Sequence, residues 1–276
     1  MEAVHSSQIM THSRKPEGRL ALPHQITILT WRNLVTIART PEALLPPIAI
    51  SIFFLVIYKS TLGKAAGFLP ELSGGSYIGF ILPLSIVSAS LAGAGVAAQN
   101  LVRDVSNGYF DKLLLTPVSR TALLLAPILA GAVILGVQAA IVIAVGFLLG
   151  LDPATGLPGV LAVLALAVLL GTGFAGFTVS AALGSGSAAA TQGASFVFFP
   201  LTFLTASFVP LDLLDGWLKT AARLNPITYV LEAMRALLND GWDMSALAQG
   251  IAATLILAVA MYALAFYALR VRTRRA

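Results

Sequence analysis

Long apolar stretches alternate with short polar segments along most of this 276-residue chain. Stretches of this kind, near the length needed to cross about 30 Å of hydrocarbon as a helix, indicate transmembrane spans. They cover residues 43–58, 75–98, 121–150, 157–182, 191–209 and 245–269. The fourth and fifth are divided at residues 183–187, because the uncharged run between Asp152 and Asp212 is too long for one helix. The pattern predicts an all-α polytopic membrane protein with six spans.

Shorter segments combine helical periodicity with charge, which suits a membrane surface better than its interior. Residues 25–40 form a predicted interfacial helix, with an apolar stripe that includes Ile28 and Trp31 and with Arg32 on another face. Residues 104–117, between the second and third spans, form a second amphipathic segment. Residues 211–238 divide at Asn225 and Pro226 into two short helices that precede the last span and that we expect at the membrane edge.

Composition excludes a soluble protein, because 58% of the residues are hydrophobic and only 11% are charged, against about 25% charged in soluble domains. There are no cysteines, so disulfides and thiolate metal sites are excluded. The three histidines all lie in residues 1–24 at spacings that fit no zinc site, so no metal is expected. Residues 1–24 also lack the apolar core of a secretory signal, and we expect them to remain as a cytoplasmic tail.

The basic residues predict the orientation. If the chain crosses the membrane six times, 12 of its 17 lysine and arginine residues lie on the same side as the two termini. They are Arg14, Lys15, Arg19, Arg32, Arg39, Arg103, Lys112, Arg120, Arg270, Arg272, Arg274 and Arg275. Basic residues near the ends of spans are retained in the cytoplasm. Both termini are therefore expected in the cytoplasm, with the chain in the cell membrane. Retention of basic residues in the cytoplasmic segments accounts for the net charge of +5. Binding to nucleic acid is not needed to explain this charge, so no nucleic-acid partner is expected.

Several activities lack the residues that they need. Ser195 follows Gly193 as in rhomboid proteases, but no histidine follows to activate it, so no catalytic residue is expected. No phosphate-binding G-x-x-x-x-G-K-[ST] motif occurs in the chain. Spans two to six carry no ionisable group of the kind that ion-coupled carriers keep at the midplane. An ion-coupled secondary carrier or a non-transporting membrane scaffold nevertheless remains the alternative to the function considered next.

Residues 196–235 resemble the end of the membrane domain of type-2 ABC transporter permeases, the drug-exporter-like bacterial ABC-2 family. The resemblance rests on Phe208-Val209-Pro210, Trp217-Leu218, Asn225-Pro226-Ile227-Thr228-Tyr229 and Glu232-Ala233-Met234-Arg235, an ordered set rather than a single dipeptide. It implies a transmembrane domain over residues 25–276 and an outer lid before the last span. The lid residues that it indicates are Phe208, Pro210, Trp217, Asn225, Pro226, Glu232 and Arg235.

Residues 108–120 resemble the cytoplasmic coupling helix of the same family, which receives the motion of the nucleotide-binding subunit. The residues that this assigns to ATPase coupling are Asp104, Val105, Gly108, Tyr109, Phe110, Asp111, Lys112, Leu113, Thr116 and Pro117. Many members carry glutamate before the glycine, where this chain has Ser106 and Asn107, and Asp104 is the nearest carboxylate. On periodicity alone, the segment is also compatible with a helix that lies on the membrane without a partner.

The resemblance implies the permease subunit of an ATP-driven exporter. This chain would bind no cofactor, because ATP and Mg belong to a separate ATP-binding subunit, and a second permease copy or a paralogue would complete the transporter. The uncharged spans favour a hydrophobic or amphipathic cargo such as a drug, lipid or polyketide. Phe196, Phe199 and Phe203 share one helix face and form a possible substrate path, although packing against lipid or other helices is the more common reason for such a stripe.

Overall fold

The structure is a computed structural model that describes residues 20–62, 77–205 and 211–275. Helices and short connections make up this part of the chain, which contains no strand, so the all-α prediction is confirmed. The helices are α1 (Leu22–Ala38), α2 (Pro41–Leu62), α3 (Tyr77–Ser106), α4 (Tyr109–Leu114), α5 (Arg120–Leu148), α6 (Gly156–Ser185), α7 (Ala188–Phe203), α8 (Gly216–Leu224), α9 (Pro226–Arg235) and α10 (Met244–Arg275). A 3-10 turn, Leu211–Leu213, precedes α8, and a π-helical turn, Ala236–Asp240, follows α9.

Four helices of the described chain are long and apolar enough to cross a membrane, namely α3, α5, α6 and α10. α2 contains a shorter apolar stretch, Leu44–Ser60, and α7 has 16 residues with Pro200 inside. The structure therefore supports a multi-pass membrane protein by length and composition. The layout with six spans stays a prediction, and residues 206–209 of the fifth predicted span lie outside the described residues.

α3 continues past residue 98, where the second predicted span ends, to Ser106. Two amide side chains that follow residue 98 contact or pack within the bundle. Gln99 Nε2 donates a hydrogen bond to Gln192 Oε1 of α7 at 2.9 Å, and Asn100 is buried. The helix thereby carries Asp104 to the end of the bundle, at the start of the coupling segment.

The centre of the bundle is closed by small residues around one leucine of α5. A side-chain carbon added at Gly93 of α3 or at Gly171 of α6 would come within 2.5 Å of a methyl group of Leu135. Only glycine at both positions lets Leu135 fill the space between the two helices. Close approach at small residues is the usual way in which membrane helices gain packing energy, and α10 packs along the same helix, α6.

Charged residues collect at two ends of the bundle. At the first, which we call the basic end, Arg120 Nη1 donates to Thr273 Oγ1 at 3.2 Å, and the Ser119 N–H donates to Gln25 Oε1 at 2.8 Å. We call the opposite end the lid end. There Lys59 Nζ donates to the backbone carbonyl of Leu149, just after α5, and α9 with its following turn packs on the starts of α3, α6 and α10. The described residues predicted to face the cytoplasm thus share one end.

The predicted interfacial helix corresponds to α1. Its predicted apolar stripe points away from the bundle, with Trp31 exposed over 68% of its surface and Ile28 over 48%. The opposite face packs on α5 through the buried Gln25, Asn33 and Ile37. An exposed apolar stripe on a helix beside the basic end fits the predicted position in the headgroup region.

Candidate coupling site and lid

The predicted coupling helix is two helices rather than one. α3 ends at Ser106, Gly108 has a φ of +67° that stops the helical path, and α4 covers only Tyr109–Leu114. The prediction of one helix over residues 104–117 is therefore wrong: Asp104 and Val105 belong to α3, and Thr116 and Pro117 lie beyond the end of α4. A residue with a β-carbon would be strained at Gly108, so glycine permits this bend.

Arg32 of α1 joins the two parts of the coupling segment. Its Nη1 and Nη2 each donate to one carboxylate oxygen of Asp104 at 2.7 Å, and its guanidinium carbon lies 4.1 Å from the centre of the Tyr109 ring. Hydrogen bonding to Asp104 raises the pKa of Arg32 and outweighs the effect of burial, so the cation persists at physiological pH. Two parallel hydrogen bonds and a stacked ring set the orientation of α4 relative to α1 and α3.

The inner face of the coupling segment is anchored in the bundle. Phe110 is only 2% exposed, Val105 is buried, and Leu113 packs against the same apolar core. The side chain of Arg272 in α10 lies over Phe110, with its guanidinium carbon 5.7 Å from the ring centre. A helix of six residues has little stability of its own, so these contacts hold α4 in place.

The outer face of the segment is open. Asp111, Lys112, Thr116 and Pro117 are exposed, and Leu115 between them is exposed over 89% of its surface. Charges of both signs beside one fully presented leucine form a surface suited to contact with another protein. We call these five exposed residues the docking face. A force on it would reach the bundle through Phe110 and Arg32.

At the lid end, Asn225 performs two tasks. Its Oδ1 accepts a hydrogen bond from the N–H of Ile227 at 3.0 Å and caps α9, while Pro226 occupies the first helical position, which needs no N–H donor. Its Nδ2 donates to the carbonyls of Leu201 and Leu204 at 2.7 and 3.0 Å, at the end of α7. Asn225-Pro226 therefore starts α9 and ties it to α7.

The two helices of the lid, α8 and α9, differ in how far they are buried. α8 is largely exposed, with Trp217 at 74%, whereas α9 is almost wholly buried against α3, α6 and α10. The apolar residues of α9 pack inside the bundle at the lid end, and the expectation that both helices lie at the membrane edge stays a prediction. Arg235 at its end is 7% exposed; its Nε donates to the Phe80 carbonyl at 3.1 Å, and its guanidinium stacks on the Phe80 ring at 3.7 Å.

The remaining predicted lid residues are less informative. Glu232 is half-buried on α9, three positions before Arg235. Phe208 and Pro210 lie outside the described residues. Tyr229 Oη donates to the carbonyl of Arg223 at 2.7 Å and so joins α9 back to α8.

A groove of about 280 Å³ lies between α2, α3 and α7. Phe196 and Phe203 of the predicted substrate path line it and are 62% and 51% exposed, while the side chain of Phe199 lies outside the described residues. Phe54 and Tyr58 of α2 face them, with their rings stacked 5.6 Å apart. Ser85 of α3 also lines the groove, and within the described chain its buried hydroxyl has no hydrogen-bond partner.

Sequence reasoning missed several residues of these sites. Arg32 was placed on a polar face without its partner Asp104, and Arg272 was counted only as a basic residue of the tail. Leu115 was not separated from Leu113 and Leu114 before it, which are partly buried. Their roles depend on contacts between distant parts of the chain. The exposed end of a leucine run beside Thr-Pro is the only local signal that could have found one of them, namely Leu115.

Comparison with known proteins agrees with these features. A family model described as ABC-2 type transporter matches residues 24–239. The probable doxorubicin resistance ABC transporter permease protein DrrC of Mycobacterium tuberculosis (strain CDC 1551 / Oshkosh) is 28% identical over 217 residues, which cover 79% of this chain and 78% of that protein. The daunorubicin resistance ABC transporter permease protein DrrB1 of Streptomyces coeruleorubidus is 26% identical over 242 residues, which cover 86% and 83%. Since the family model spans most of its length, this chain belongs to the ABC-2 type transporter family.

Proposed function

We propose that this chain is the non-catalytic permease subunit of an ATP-driven exporter in the cell membrane. Its family membership supports this assignment. The observation that carries it is the docking face, an exposed surface at the basic end that is connected rigidly to the bundle. A separate ATP-binding subunit, which supplies ATP and Mg, contacts this face and moves α4.

The complete transporter contains two permease units. Each crosses the membrane six times with both termini in the cytoplasm, and lipid surrounds the outward apolar faces of helices such as α10. The second unit is either another copy of this chain or a paralogue. ATP binding moves α4 together with α1 and α3, and this movement alternates the exposure of a cleft between the two units, while α8 and α9 form the lid on the outer side.

The groove between α2, α3 and α7 supports a hydrophobic or amphipathic cargo. None of its lining residues is charged, so an ion buried there would lack a counter-charge. Aromatic rings from α2 and α7 suit flat apolar molecules, and Ser85 supplies one hydrogen-bonding hydroxyl. The similarity to permeases named for doxorubicin and daunorubicin resistance favours drug-like compounds within this class.

Purification in mild detergent tests the partner. We expect a tagged chain to recover a stoichiometric ATP-binding protein with ATPase activity, and Leu115→Asp to reduce that recovery about tenfold, because a central apolar contact of an interface contributes about 1–2 kcal/mol. Leu224→Asp is the matched control, since Leu224 is also largely exposed but lies at the lid end. A chain that is stable and always recovered alone would refute the permease assignment and favour a carrier or a scaffold.

The substrate path has its own test. Alanine at Phe196, Phe199 and Phe203 together is expected to change the range of exported compounds without lowering the amount of protein, because the groove loses aromatic surface. Phe53→Ala serves as control, since Phe53 is similarly exposed on α2 but does not line the groove. The measurement is export of a panel of neutral and cationic dyes from cells. Identical export profiles for the triple variant and the unchanged chain would remove these phenylalanines from the path.

A further inference from the structure

Arg272, near the end of α10, lies where separate parts of the basic end meet. Its Nη1 donates to the carbonyl of Leu183 in the last turn of α6 at 3.2 Å. Its guanidinium carbon lies 5.7 Å from the ring centre of Phe110 in α4. A single side chain of α10 therefore contacts both the coupling segment and the end of α6.

The turn that follows α6 packs against the same residues. Gly186 ends α6 with a φ of +62°, and the next residue, Ser187, caps α7 by accepting a hydrogen bond from the Ala190 N–H at 3.4 Å. A side-chain carbon added at Gly186 would lie 3.5 Å from Val105 and 3.7 Å from Arg272. The turn thus lies in van der Waals reach of α3 and α10 just where the chain enters α7.

Arginine is suited to this position by its chemistry. A planar guanidinium can lie over an aromatic ring while an N–H at its edge donates to a carbonyl. The carbonyls in the last turn of a helix also form the negative end of its dipole, which attracts a cation. A lysine ammonium could neutralise the dipole but would not present a flat face to Phe110 at the same time.

The end of α10 is hydrogen-bonded to the start of α5. Arg120, the first residue of α5, donates to the hydroxyl of Thr273, the neighbour of Arg272, at 3.2 Å. The hydrogen bond to Thr273 fixes the backbone beside Arg272 relative to α5. The Arg272 side chain lies between α4 and the turn that joins α6 to α7. A displacement of Phe110 would reach that turn through the Arg272 side chain.

We propose that Arg272 is a positioning residue that transmits the movement of α4 to the start of α7. This role rests on the proposed ATP-driven function and adds to it a route from the docking face to the groove. α7 begins at Ala188 and lines the groove with Ser195, Phe196 and Phe203, so a shift of its first turn changes the groove. Arg272 contacts no cargo and acts through α7 alone.

The absence of cysteine from the chain gives a direct test. Ser195→Cys places one thiol in the groove, and its rate of maleimide labelling is measured in nanodiscs of phosphatidylethanolamine and phosphatidylglycerol that contain the complex with its ATPase. ATP plus vanadate is expected to change this rate roughly threefold or more. Arg272→Gln is expected to abolish the change while ATP hydrolysis continues, and Arg272→Lys to retain part of it. Arg274→Gln, an exposed position in the same tail, should behave as the parent.

The outcomes separate the two proposals. A nucleotide effect on thiol labelling at position 195 that survives in Arg272→Gln would overturn the role of Arg272 and leave the exporter function intact. No nucleotide effect in the parent complex would overturn the route from α4 to α7, and the role of Arg272 with it, whereas failure to recover an ATP-binding subunit would overturn the exporter function. Phe110→Leu keeps apolar bulk but removes the aromatic face that Arg272 contacts. If Arg272→Gln does not reach the membrane, loss of the nucleotide effect in Phe110→Leu supports the role of Arg272, and an unchanged effect overturns it. Loss of the nucleotide response with a normal thermal unfolding temperature distinguishes transmission from mere destabilisation.

Discussion

Asparagine at position 104 is expected to lower transport about tenfold while the amount of protein in the membrane stays the same, a loss of coupling worth about 1.4 kcal/mol. The Asp104 carboxylate accepts hydrogen bonds from both Nη atoms of Arg32, each at 2.7 Å. An amide offers one oxygen and no charge, so one of these bonds and the ionic attraction are lost. α4 then loses a restraint on its orientation to α1 and α3.

The effect on folding stability should be much smaller than the effect on transport. The side chains of Arg32 and Asp104 are 35% and 20% exposed, and partly solvated ion pairs contribute about 1 kcal/mol or less. The pair matters because the same guanidinium lies on Tyr109, so its position determines where α4 sits. Thermal unfolding in detergent should therefore change little.

A double-mutant cycle with Asp104→Asn and Arg32→Gln measures the interaction. If the pair acts as one unit, the double variant should transport about as well as either single variant. Arg103→Gln is the matched control, because Arg103 neighbours Asp104 on α3 but is exposed. Additive losses in the cycle would show that the two residues act separately and would contradict the prediction.

Alanine at Asn225 is expected to destabilise the folded protein by about 2 kcal/mol or more. The N-terminal cap of α9 contributes about 1 kcal/mol. The carbonyls of Leu201 and Leu204 also lose their donor, and each unsatisfied carbonyl in an apolar setting costs about 1–3 kcal/mol before local relaxation. Asn225 itself is 4% exposed, so water cannot readily replace the side chain.

Serine at the same position separates the two tasks. Its hydroxyl can cap α9 but is too short to reach α7, so Asn225→Ser should be about 1 kcal/mol more stable than Asn225→Ala and still less stable than the parent. Thermal unfolding followed by tryptophan fluorescence gives the ranking, with the exposed Gln249→Ala as control. An Asn225→Ala protein that unfolds at the parent temperature would mean that the lid does not depend on this residue.

The sequence contains enough information for the helices and for the location of both sites, but not for how they are connected. Helical spacing through Val105, Tyr109 and Phe110 predicted one helix, because periodicity records which residues share a face and is insensitive to a local bend at Gly108. The amphipathic pattern of α9, a short and charged segment, predicted a helix at the membrane edge. The pattern could not show that Arg235 donates a hydrogen bond to the Phe80 carbonyl.

Contacts over long sequence separations account for most of what was missed. Arg32 and Asp104 lie 72 positions apart, and Arg272 lies 89 positions from Leu183. No local pattern relates such residues, whereas the Asn-Pro start of α9 could be predicted because capping is local. Phe196 and Phe203 were found from their spacing on one helix face, but the orphan hydroxyl of Ser85 became visible only once α2, α3 and α7 were brought together.

The burial of α9 has a consequence for how the protein is made. α9 packs on α3, α6 and α10, and α10 leaves the ribosome after α9. At ten residues it is too short to span the bilayer, so it has no stable membrane location before α10 arrives. Arg235 accordingly remains near the membrane surface while the earlier helices insert, and it packs on Phe80 only when α10 joins the bundle. Docking of α9 therefore follows the insertion of α10, and it reports that α10 has been inserted.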